Sequence, residues 1–312
     1  MDRQLRELER AVLANPEDPA LGLSLRRLLS RIADLGDWVA WGRAHPHAQD
    51  QVLEVLAQLL PEFAYLGAEA YAVGEVAHRV GRFRHEPSQL ELHLIPGGSA
   101  TLGPGRDGWN RETERRVQLQ PLLVGRFPVR QLEWDRRPHA DERSFVGAEL
   151  PIEGVTWHAA RAWLSEVSLR LPSEAEWEFA CRAGSTTEYF WGGEPNPAYA
   201  WYGEGSTCTT HSTRLHEGAP NAFGLVDLCG NVAEWCADVY GPYGPHMPSD
   251  GAPVTQRGGM RVIRGGDSFH SPHHCRSAAR NGADARDAGA MIGFRAACSV
   301  PLFGAGSDTL PR

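Results

Sequence analysis

The chain has 312 residues, 42% of them apolar and 22% charged, with a formal net charge of -8 at neutral pH. That length allows one large domain, or a domain with a smaller companion region, and enough apolar material for an ordinary core. The acidic balance argues against a broad nucleic-acid or anionic-membrane surface, and no apolar run approaches the roughly 20 residues of a bilayer span.

Every basic side chain is arginine, which excludes Schiff-base lysine chemistry and a P-loop. Six cysteines without a C-x2-C pair do not make a zinc ribbon. The charged start, Met1 to Arg10, offers no apolar signal core, so a cytoplasmic location is the default expectation and buried free thiols follow from it.

In chain order, residues 1–88 read as a helical region suited to interaction or docking. Leu5, Leu8, Val12 and Leu13 share one helical face until Asn15-Pro16-Glu17-Asp18-Pro19 breaks it. Leu21, Leu25, Leu28, Leu29 and Ile32 make a second helix ending near Gly36. Val52 to Leu60 makes a third, and Phe63 to Val80 a fourth. From Leu92 short β-type runs rich in Gly, Pro and Trp take over. Leu94 to Gly103 predicts two strands around a Pro-Gly-Gly turn, and Val117 to Phe127 another strand. Thr156 is placed to cap a helix from Trp157, and Ser173 with Glu176 has capping-box spacing. Beyond Cys181 the chain is loop-rich to about residue 222, and residues 301–312 read as a tail. Helices and short strands without βαβ alternation imply an α+β domain over residues 92–300.

The densest chemistry lies between Arg261 and Arg280: a strand, a glycine pair, a polar loop and a second strand. His270, His273, His274 and Cys275 within it either coordinate something or face solvent.

The succession Ile95-Pro-Gly-Gly, Val155-Thr-Trp157, Arg170-Leu-Pro-Ser-Glu-Ala-Glu-Trp-Glu178, Gly224-Leu-Val-Asp-Leu-Cys-Gly-Asn-Val-Ala-Glu-Trp235, Arg264-Gly-Gly266, Cys275-Arg-Ser-Ala-Ala-Arg280 and Gly293-Phe-Arg295 resembles the formylglycine-generating enzyme, or sulfatase-modifying-factor, family. The resemblance implies a loop-rich variant of the C-type lectin fold whose last strands and loops form a ligand surface. Trp177 and Trp235 read as core packing. The arginines at 170, 182, 264, 276, 280 and 295 read as struts onto carbonyls and carboxylates.

Asp227, Gly230, Val232 and Glu234 match a structural calcium site of the family, with two carboxylates around backbone carbonyls. A second calcium site of the family meets Trp201, Thr209 and Thr210 here and is not expected. Formylglycine generators hold copper between two thiolates. Counted forward from Gly265-Gly266, His270 takes the first thiolate position and Cys275 the second. Counted back from Ala278-Ala279-Arg280, Cys275 matches neither. The pair of catalytic cysteines is not intact, yet His270 and Cys275, with His273 or His274, form a candidate copper or iron centre. Cys181 and Cys298 fall where relatives place a disulfide and are expected to lie close together. His45, His47, His78 and His85 do not supply the iron triad of the related ergothioneine-type sulfoxide synthases.

Three readings stay open. The first is a degenerate family member that binds a protein or small-molecule ligand through Asp267, Ser268, Phe269, His273, His274, Arg280, Asn281 and Asp284. The second is a copper- or iron-dependent oxidase. The third is a display protein like the variable proteins of diversity-generating retroelements.

Overall fold

A computed structural model describes residues 2–16, 18–103, 114–137, 139–206, 208–244, 247–255 and 259–300; the expected tail at 301–312 lies outside them. Four helices open the chain: α1 (Asp2–Ala14), α2 (Pro19–Ile32), α3 (Trp38–Arg43) and α4 (Pro46–Gln58). Asp18 ends the Asn-Pro break by capping α2, its carboxylate accepting the N–H groups of Ala20 and Leu21.

The helix expected over Phe63 to Val80 is instead a hairpin of β1 (Phe63–Val73) and β2 (Val76–His85). The Ala-rich composition of β1 favours a helix locally. Pairing of β1 with β2 and of β2 with β3 (Glu91–Ile95) overrides that propensity. Gly74, at φ +60°, supplies the tight connection between them.

β4 (Gly98–Leu102) pairs with β5 (Arg115–Leu119). The single strand expected from Val117 to Phe127 is broken at Gln120-Pro121 into β5 and β6 (Leu122–Gly125), because proline has no N–H for a ladder. Short α5 (Gln131–Trp134) precedes α6 (Trp157–Ser165) and α7 (Glu174–Arg182). Both cap expectations hold: Thr156 accepts the N–H of Ala159, and Ser173 with Glu176 closes a capping box. Then come β7 (Ala233–Val239), β8 (Met260–Arg264), β9 (Arg280–Asp284), β10 (Ile292–Phe294) and β11 (Ala297–Ser299).

The strands form a five-stranded sheet ordered β1-β2-β3-β6-β11, a four-stranded sheet ordered β10-β7-β8-β9, and the β4-β5 ribbon. One core joins Leu25, Leu29, Val52, Leu53 and Leu56 of the N-terminal helices to Phe83, Leu92, Trp134, Trp163 and Phe294. A second gathers Trp177, Phe179, Phe223, Leu225, Val262 and Cys275 behind the last strands. Among the described residues no helix is long and apolar enough to cross a membrane.

Candidate functional site

β8 and β9 pair antiparallel, with Arg264 opposite Arg280, so residues 265–279 leave and re-enter the sheet at one end. Gly265 and Gly266 make the exit at φ +93° and +66°. A β-carbon at Gly266 would stand 2.7 Å from the His274 backbone, so glycine is required there for both conformation and space.

Asp267 then folds the loop onto itself. Its Oδ1 accepts the backbone N–H groups of Phe269 and His270 at 2.9 Å each, and its Oδ2 lies 2.8 Å from His270 Nδ1. An ionised carboxylate only accepts, so Nδ1 carries the proton and Nε2 is the acceptor of the neutral ring. The His270 side chain is 53% exposed. The His274 ring lies 5.0 Å from it, and burial together with the neighbouring His270 lowers the His274 pKa. A cleft of about 60 Å³ opens beside these rings, bordered by Gly265, Gly266, Asp267, His270, His274, Arg280 and Asn281. It suits one small polar group, since drug-sized ligands need several hundred Å³.

Beneath the cleft, two glutamates of α7 anchor three arginines. Glu174 takes Arg280 through two 2.7 Å hydrogen bonds and lies 3.3 Å from Arg264. Glu178 takes Arg264 and, at 2.8 Å, Arg182. Arg280 also lies over the rings of Tyr240 and Tyr243, at 5.1 and 4.2 Å. The other arginine struts are present too: Arg170 on Glu176, Arg276 on the His273 carbonyl and Glu188, and Arg295 on Glu234. The partnership of Asp267 with His270 went unread in the sequence, although its i, i+3 spacing is that of a side chain capping its own turn.

Several expected site residues lie elsewhere. Cys275 ends a short 3-10 turn, Pro272–Cys275, that directs its side chain into the second core, where it is fully buried. Burial, with Asp267 adding to it, pushes this thiol far above its ordinary range. An exposed imidazole and a core thiol from the two sides of one loop do not converge. Among the described residues no group of three or more His, Cys, Asp or Glu side chains is placed to hold a metal. The copper or iron centre read from His270 and Cys275 has its two named ligands on different sides of the loop, the imidazole exposed and the thiol buried.

Ser268 is also buried, its hydroxyl donating to the Met291 sulfur at 3.1 Å and its carbonyl accepting from Ser206. Asp284 sits at the far end of β9 opposite Met260, where Arg286 holds its carboxyl well below the usual range. Phe269, His273, His274 and Asn281 are exposed, as a ligand surface needs.

The calcium set divides into two polar clusters. Glu234 is fully buried, and both its oxygens accept from the Arg295 guanidinium, with the Trp177 indole donating to one of them at 2.7 Å. Asp227 gives one oxygen to His216 at 3.1 Å and the other to the Asn231 amide at 3.0 Å. The N–H of Gly230 donates to the Gly265 carbonyl, tying this segment to the cleft loop. With its charge neutralised by a buried guanidinium, Glu234 does not fit the role of a calcium ligand. Cys181 and Cys298 are not neighbours: Cys181 lies 3.8 Å from Cys229, sulfur to sulfur, while Cys298 on β11 borders the other core. The two-residue displacement of Cys298 along its strand preserved a face but not a position.

A domain model described as sulfatase-modifying factor enzyme 1-like matches residues 79–300. The chain belongs to this family. It is 33% identical over 203 residues to the formylglycine-generating enzyme of Streptomyces coelicolor, covering 56% of the chain and 60% of that protein. It is 30% identical over 204 residues to the inactive C-alpha-formylglycine-generating enzyme 2 of Mus musculus, covering 61% and 62%. The chain thus spans about three-fifths of the length of these relatives. Among solved structures, PvdO from Pseudomonas aeruginosa superimposes with a TM-score of 0.60 at 28% identity, covering 67% of this chain and 94% of that one. Treponema denticola variable protein 1 does so at 0.58 and 25%, covering 74% and 98%. These neighbours agree with the C-type-lectin-like fold of the family.

Proposed function

We propose that this domain uses the family scaffold for binding and does not generate formylglycine. The observation that carries this reading is the burial of Cys275, the one thiol of the 265–279 loop, behind an exposed surface made of Phe269, His270, His273 and His274. The arginine and glutamate struts fix the ends of the loop, and its tip presents Phe269, His273 and His274 to solvent. Relatives named as an inactive enzyme and as a variable protein support a binding or display role on this fold. The small cleft favours a protein partner that inserts one polar side chain or terminal group between His270, His274 and Asn281, while exposed Phe269 supplies apolar contact at its edge.

A photo-crosslinking residue in place of Phe269, compared with one at Val146, tests this in the native host. Val146 is 86% exposed, making it an accessible control. The expected result is a discrete adduct from position 269 that is lost on adding His270→Ala and retained with Cys275→Ser. Equal adducts from both positions would overturn the binding surface.

A further inference from the structure

Trp157 opens α6, is 6% exposed, and donates its indole N–H to the Cys236 carbonyl at 2.8 Å. Two guanidinium groups lie over its ring: Arg261 of β8 at 4.0 Å and Arg161 of α6 at 5.5 Å from the centroid. His158 packs edge-on against it at 5.2 Å.

What distinguishes this pair is the absence of counter-charge. Arg170, Arg182, Arg264, Arg280 and Arg295 each meet a glutamate. Among the described residues neither Arg161 nor Arg261 forms an ion pair with a carboxylate, although the chain has 39 acidic residues against 31 basic ones. Arg261 gives one N–H to the Ala237 carbonyl at 3.3 Å, and its Nε is buried without a hydrogen-bond partner. The nearby acids do not compensate. Asp238 is buried and occupied by the backbone N–H groups of Glu174 and Val254, and the Asp284 carboxylate is taken by Arg286. Burial and the neighbouring Arg161 both work against the charge on Arg261, a strain that an anion between the two would relieve.

Guanidinium groups present their N–H donors in planar forks that match oxyanions, and here two such forks are anchored on one indole. We propose that Arg161 and Arg261, held over Trp157, form a binding site for a phosphate-type dianion. Two positive charges that no carboxylate ion-pairs, with Asp238 only partly offsetting one of them, match one divalent tetrahedral oxyanion better than a single carboxylate. The site is separate from the cleft at His270 and does not depend on the binding role proposed for it.

Calorimetric titration of the whole chain with inorganic phosphate tests the proposal, at constant ionic strength, with chloride as the control anion and glutamate as the monocarboxylate comparison. The expected result is saturable phosphate binding that exceeds glutamate binding and weakens about tenfold or more in Arg161→Gln and in Arg261→Gln, the loss expected for one charge-assisted hydrogen bond. Arg161 is exposed, so Arg161→Gln keeps its fold even if Arg261→Gln does not. No heat beyond the chloride control, or equal phosphate binding by wild type and Arg161→Gln, would overturn the site.

Discussion

At the residue scale, burial decides which side chains keep chemistry available. The sequence placed His270, His273, His274 and Cys275 close together, but residue spacing carries no sign for inside or outside in an irregular loop. Strands and helices have a period that sorts faces, and a 3-10 turn between a proline and a core strand does not. The outcome is measurable with a thiol alkylating reagent and peptide mass mapping. Cys208 is exposed, whereas Cys181, Cys229, Cys236 and Cys275 are buried. Native protein is expected to label at Cys208 first, with Cys275 modified only on unfolding; rapid native labelling of Cys275 would mean that the loop presents it after all. The arginines were legible for the converse reason. An arginine beside loop carbonyls and acidic residues has few satisfactory fates except a fork onto them, and Arg264, Arg280 and Arg295 meet that expectation.

At the element scale, the well-read helices α6 and α7 carry local signals and the misread β1–β2 hairpin does not. Ser173 and Glu176 announce α7 through a capping box, and Thr156 announces α6. The β1–β2 hairpin is set by pairing with β3, a partner that no window within residues 63–80 contains. The α7 cap also reaches beyond its helix: Ser173 Oγ accepts the Glu176 N–H at 3.1 Å and donates to the Gly251 carbonyl at 2.7 Å. Ser173→Ala removes both bonds inside the protein and is expected to cost about 1–3 kcal/mol, read by urea unfolding. A loss near zero would show that Glu176, which also holds Arg170 at 2.6 Å, secures this helix start without the serine.

At the scale of the whole molecule, buried titratable groups set how stability varies with pH. Burial lowers His78 and His85 to about 4, so both are neutral in the native state and take up protons on unfolding as the pH falls from their ordinary value of about 6.5. Their stabilisation is present above pH 6.5 and lost as the pH falls through 4, at roughly 1.4 kcal/mol per pH unit for each group. Burial raises Asp238 to about 7, which acts in the opposite direction. Its contribution is complete below its unfolded value near 3.9 and is lost as the pH rises through 7. From pH 6.5 down to 4 the two histidines outweigh the one aspartate, leaving a net loss on the order of 1.4 kcal/mol per unit. Denaturant melts across that window are expected to show this slope, cancelled by His85→Asn; stability that instead rises as the pH falls from 6.5 to 4 would place both histidines in solvent.

The domain belongs to a family that contains formylglycine-generating enzymes, whereas the site loop has its thiol in the core and its histidines outside. The most direct measurement is aerobic incubation of the copper-loaded protein with a cysteine-containing peptide, followed by mass spectrometry for the aldehyde product. Unchanged peptide is expected from wild type and Cys275→Ser alike; copper-dependent aldehyde formation that Cys275→Ser abolishes would contradict a binding role for this loop.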